Sequence, residues 1–144
     1  MIQNAIELTM LPGVGSLTQN RIWKAVPDIA AFFSMETNAL ASLGVPKEAF
    51  AVIRSRGFQA MAAEIYDWGR GEGCHFLLRG DGAYPPLLNE LFDPPLILYA
   101  RGQMKALDQS CVAIVGTRKP SIYGLQMAQG LAHDLFTATF VVVP

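Results

Sequence analysis

The chain has 144 residues, 51% hydrophobic and 16% charged, a composition that describes one or two cored domains and excludes a disordered chain. Eleven Lys and Arg stand against 12 Asp and Glu, so the net charge is −1. That excludes a global field drawing in a polyanion, and any nucleic-acid site has to be local.

Residues 1–72 read as helical throughout. Ile2, Ile6, Leu8 and Met10 open a short apolar helix, which Pro12-Gly13-Val14-Gly15 breaks. Ser16 is placed to cap a helix to Lys24, with Leu17, Ile22 and Trp23 available to the core. Pro27-Asp28 starts a short helix carrying Ile29, Phe32 and Phe33. A further turn or two from Glu36 to Leu43 stops at Gly44. Pro46 suits the first helical position of the next element, which runs through Phe50 and Ile53 before Gly57 punctuates it. Phe58, Met61, Ala62, Ile65, Tyr66 and Trp68 then recur at helical spacing on one face. Trp23 and Trp68 are expected in the core.

After Gly71-Glu72-Gly73 the pattern becomes strand-like. Cys74 to Leu78 reads as a strand, Gly80-Asp81-Gly82 as a turn, and Tyr84-Pro85-Pro86 as the start of a helical turn. Pro94-Pro95 precedes a second strand over Leu96 to Ala100, closed by Arg101-Gly102. Val112 to Val115 is a third strand, about Tyr123 to Phe136 a helix with Leu125, Ala128, Leu131, Ala132 and Leu135 on one face, and Phe140 to Val143 a fourth strand. Apolar strands around an amphipathic helix predict a parallel βαβ unit covered on both faces. Pro144 ends the last strand because it cannot donate to a ladder. A parallel sheet of this kind normally continues with further βα units, so the sequence is expected to be the N-terminal portion of a longer protein.

Cys74 and Cys111 lack CxxC spacing and open apolar runs, which predicts buried thiols. The first residues show no signal-peptide pattern, and no apolar run has the length of a membrane span, so a soluble cytoplasmic protein is expected. His75 and His133 are isolated, and Asp81, Glu90 and Asp93 form no paired-carboxylate site, so catalysis is not expected.

The third strand runs into Gly116, and a strand, a glycine and a helix make the layout in which backbone amides converge on an anion. Gly116 allows close backbone approach. Thr117 adds a hydroxyl and an amide, Arg118 a cation whose fork suits phosphate oxygens, and Lys119 a second charge. Ser121 can cap the next helix or bond a phosphate, and a base can stack on Tyr123. A dinucleotide site requires GxGxxG, yet the next glycine is Gly124, and no GxxxxGK[ST] is present. Local chemistry leaves three readings open: a nucleic-acid phosphate, the phosphate of a mononucleotide or phosphorylated small molecule, or a plain turn with solvated charges. Pro12 to Gly15 and Leu43 to Pro46 resemble helix-hairpin-helix turns, but ordinary helix-to-helix turns also need Pro and Gly.

LPGVG (Leu11–Gly15), YPPLL (Tyr84–Leu88), PPLILYARG (Pro94–Gly102) and VAIVGTRKPSIYG (Val112–Gly124) occur in the order seen in the DprA/Smf family of DNA-processing proteins, which the chain resembles from about residue 5 to 143. The resemblance implies an α/β protein. Its small N-terminal helical domain, of SAM-like or helix-hairpin-helix type, would occupy 1–72, and the first part of an extended Rossmann-like parallel sheet 73–144. It implies non-catalytic binding of single-stranded DNA in natural transformation, competence and recombination, with help in loading the recombinase RecA. No cofactor is implied, and a homodimer belongs to the full-length protein. The family's phosphate-binding glycine, hydroxyl residue and arginine correspond to Gly116, Thr117 and Arg118. The family's second glycine turn, resembling SGxAxGID, does not occur in this sequence.

Overall fold

The computed structural model describes residues 1–143 and separates into two compact units, Met1–Gly102 and Gln103–Pro144. The first unit holds six helices: α1 (Ile2–Thr9), α2 (Ser16–Ala25), α3 (Ile29–Phe32), α4 (Thr37–Ser42), α5 (Lys47–Ser55) and α6 (Gln59–Trp68). It also holds strands β1 (Cys74–Leu78) and β2 (Ile97–Arg101). Ile6, Leu8, Ile22, Phe32, Leu40 and Ile53 are fully buried and build one core, which Leu78, Leu96 and Ile97 join from the strand region. α1 packs chiefly on α6 and also touches α2 and α3.

Local chemistry explains the helix ends, with two departures from expectation. Asp28 caps α3 by accepting the Ala30 amide at 2.9 Å. Gly44 follows α4 at φ +81°, the left-handed stop that its position predicts. Ser16, however, is the first helical residue rather than the cap, because its hydroxyl donates to Asp93 Oδ2 at 2.7 Å. After α5 the left-handed position belongs to Arg56 (φ +52°), not to Gly57. Its guanidinium is held by Glu7 and Asn4 and lies 4.0 Å over the Phe33 ring, which offsets the backbone strain.

β1 and β2 are antiparallel, with Cys74 opposite Arg101 and Leu78 opposite Ile97. The expectation of one parallel sheet fails here. The connection from β1 to β2 contains only a 3-10 turn over Pro86–Glu90, whereas parallel neighbours need a crossover, usually a helix. The strand pair is fastened to α2. Asn20 Nδ2 donates to the Pro94 carbonyl at 2.9 Å, Arg79 Nη1 to Asn20 Oδ1 at 2.7 Å, and Trp23 Nε1 to the Arg79 carbonyl at 3.2 Å. The first compact unit therefore extends past residue 72 to Gly102.

The second unit contains a 3-10 turn over Met104–Asp108, then β3 (Cys111–Ala113), α7 (Ile122–Thr137) and β4 (Val141–Val143). β3 and β4 are parallel, with Cys111 opposite Val141 and Ala113 opposite Val143. This is the βαβ arrangement expected from the apolar pattern. Its predicted covering on both faces is not seen: no described residue of this unit is buried. Ala128, Ala132 and Leu135 are half-buried on α7, while Leu125 and Leu131 are exposed. Pro144 lies outside the described residues.

The cysteines and one tryptophan also depart from expectation. Cys74 is half-buried and Cys111 exposed, since β3 is a short strand in a two-stranded sheet. Trp68 is 45% exposed at the end of α6. Among the described residues no helix is long and apolar enough to cross a membrane.

Candidate functional site

The loop from Ile114 to Ser121 joins β3 to α7. Its start is pinned by the Ile114 amide, which donates to the Val143 carbonyl at 2.9 Å. Within it the Lys119 amide donates to Thr117 Oγ1 at 3.3 Å. Its end is the cap of α7, where Ser121 Oγ accepts the Gly124 amide at 3.1 Å. Of the two roles open to Ser121, the structure displays the cap. The amides of Ile122 and Tyr123, by their place in the first turn, have no intrahelical acceptor and add the positive end of a 16-residue helix.

A cavity of about 400 Å³ lies against this loop. Gly116, Thr117, Ser121 and Gly124 supply its loop and helix-start wall, and Val115 and Leu125 are among its apolar residues. Gly116 leaves the space in front of its Cα open, since a Cβ there would meet nothing within 4 Å. Its φ lies outside the left-handed region, so the turn itself does not demand glycine. What the glycine provides is room.

Arg118, Lys119 and Tyr123 do not line that cavity. All three are exposed, Tyr123 to 71%. The structure thus brings Gly116, Thr117 and Ser121 to one concavity and carries the two cations and the aromatic ring outside it. Gly124 and Pro120 complete the wall. Sequence reading noted Gly124 only as a glycine too distant for a dinucleotide motif; its place three residues after a capping Ser was the available signal. Among the described residues no cluster of three or more His, Cys, Asp or Glu could hold a metal.

A parallel strand, an open loop, a capped helix and a second parallel strand define an α/β protein with a loop at a helix N-terminus. The family model described as DNA recombination-mediator protein A matches residues 75–144. The DNA processing protein DprA of Bacillus subtilis (strain 168) is 33% identical over 75 residues, which are 51% of this chain and 25% of that protein. The chain thus spans about a quarter of the length of the curated relative it matches. Over this segment the chain is similar to the DNA recombination-mediator protein A family.

Proposed function

We propose that the chain contributes a phosphate-binding loop to a non-catalytic, cytoplasmic, single-stranded-DNA-binding protein that acts in DNA uptake, transformation and recombination. The recombinase RecA would be its partner, and a homodimer its full-length state. The observation that carries this reading is the exposed Arg118-Lys119 pair beside the capped start of α7, within the family-matched segment. Phosphates would rest on the amides of Gly116 and Thr117, Arg118 would supply the main charge, and Lys119 would support it. Ser121 would act by holding the helix start, and Tyr123 would offer its ring to a base. The helices of residues 1–72 would be SAM-like, and the unit of β3, α7 and β4 would be the Rossmann-like part.

The test is a titration of the chain with an oligothymidylate at several salt concentrations. Arg118→Ala should weaken binding and flatten the salt slope by about 0.7, the value for one lost single-strand phosphate contact. An unchanged slope removes Arg118 from the site.

A mononucleotide or phosphorylated small molecule is the second reading, favoured by the size of the loop cavity, which lies within the range of small-ligand sites. Saturable binding of a free nucleotide, with no gain on lengthening it, would select that reading.

A further inference from the structure

The first unit carries an aromatic groove that no phosphate site requires. α6 places Glu64, Ile65 and Trp68 on one face by their i, i+1 and i+4 spacing, and Tyr99 of β2 faces them across a cavity of about 460 Å³. Trp68 and Tyr99 are 45% and 46% exposed, so both rings present surface to solvent.

The rings are held from behind. Phe76 stands edge to face with Trp68 (centroids 6.4 Å apart, planes at 68°) and with Tyr99 (5.6 Å, 77°). Tyr66 stacks on Phe76 from another side, with centroids 6.0 Å apart and planes at 6°. Gly69 makes this possible, because a Cβ there would overlap the Phe76 ring. The groove is therefore a built arrangement of one wedge and two walls.

The charged residue of its lining is an acid. Glu64 lines the groove and is exposed, and among the described residues its carboxylate makes no ion pair, whereas Asp67 of the same helix has Arg70 at 3.9 Å. Arg101 follows Tyr99 by two residues on the same strand face but is not part of the groove wall. Two partly exposed aromatic rings and a carboxylate around one opening attract a cation and repel phosphate.

We propose that the groove of Glu64, Trp68 and Tyr99 docks a protein partner by capturing an exposed Arg or Lys side chain. The cation lies against the indole and phenol faces, its alkyl stem covers Ile65, and its charge meets the Glu64 carboxylate. This partner is distinct from the nucleic acid proposed at the Gly116 loop, and it does not depend on that loop.

The test follows the indole N–H resonance of Trp68 in the full chain, assigned by its loss in Trp68→Phe, during titration with N-acetyl-Gly-Arg-Gly-amide. A saturable shift is expected, weakening as salt is raised. Glu64→Gln, a surface change that leaves the packing intact, should reduce the affinity about fivefold. Gly69→Ala should abolish the shift by displacing Phe76 while leaving the far-ultraviolet circular dichroism unchanged. An equal response to the norleucine analogue, or an unchanged affinity in Glu64→Gln, would make the groove merely apolar and overturn the proposal. A response to oligothymidylate in place of the Arg peptide would reassign it to base stacking, and no shift in the folded native chain would remove it.

Discussion

Arg56 closes over Glu7. Its Nε lies 3.0 and 3.1 Å from the two carboxylate oxygens and its Nη2 2.6 Å from one of them. Glu7 is only 1% exposed, and Arg56 also reaches Asn4 Oδ1 at 2.9 Å. The pair joins α1 to the end of α5 across 49 residues of sequence. Removing one partner leaves a buried charge alone, a situation that costs about 3 kcal/mol even with the guanidinium partly exposed. Arg56→Ala should show that loss in urea unfolding. Arg56→Gly should lose roughly 1 kcal/mol less, because glycine relieves the left-handed backbone. Equal losses for the two variants would mean that φ +52° costs nothing here.

Gly116→Ala separates approach from folding. A methyl group there meets open space and an ordinary backbone conformation, so stability should change by less than about 0.5 kcal/mol. Oligonucleotide affinity should nevertheless fall, since the methyl occupies the room in front of the loop amides. A variant that binds as well as the parent would show that the phosphate does not rest on this residue.

Ser121 tests the helix start by itself. Ser121→Ala removes the acceptor of the Gly124 amide and should destabilise the first turn of α7 by about 1 kcal/mol, with Ser121→Gly costing only a few tenths. Amide exchange at Gly124 and Leu125 measures it directly. The salt slope of oligonucleotide binding should hardly move, because a cap adds no counterion-releasing charge.

Tyr84 gives an alkaline signature. It is 3% exposed, and its hydroxyl donates to the Pro95 carbonyl at 2.7 Å. Burial raises its pKa above 10.0 more than the Arg79 charge lowers it. The unfolded tyrosine therefore ionises first. The stabilisation is whole below about pH 10 and is lost as pH rises through the folded value. Tyr84→Phe should flatten the fall in stability above pH 10, at a cost near 1 kcal/mol at neutral pH for the missing hydrogen bond. An unaltered alkaline fall would assign it to other groups.

The two units should exchange amide hydrogens very differently. The apolar core lies within Met1–Gly102, and no described residue after Gly102 is buried. Few buried apolar groups mean low local opening energies. Amides of β3, α7 and β4 should exchange well before those of α1, α2 and α5. Matched protection in both units would contradict that ordering.

The legible parts of this protein were those written in local chemistry. Apolar spacing marked the elements, Gly44 marked a helix stop, and a strand, glycine and helix marked the loop. Long-range partners were hidden. Ser16 resembled a cap until Asp93, 77 residues away, took its hydroxyl. Arg56 carried no sign of left-handed backbone, because the sign lay in Glu7 and Phe33. An apolar run such as Cys74 to Leu78 has the same composition in a parallel or an antiparallel pair, so its partner direction could not be read from it. Trp68 resembled core because its spacing is helical, although spacing names a face and not what covers it. At the loop, residue types were legible, but their division between the cavity wall and open surface was not.

Family similarity and folding autonomy do not share a border in this chain. The family match begins at His75, inside β1, while the compact unit that holds β1 ends at Gly102. A piece cut at His75 would uncover Leu78, Leu96 and Ile97 and sever Arg79 and Pro94 from Asn20. The matched segment therefore borrows its first two strands' shelter from helices outside the match. A dissection that respects folding would divide the molecule at Gly102, whose φ of +120° already breaks the strand there.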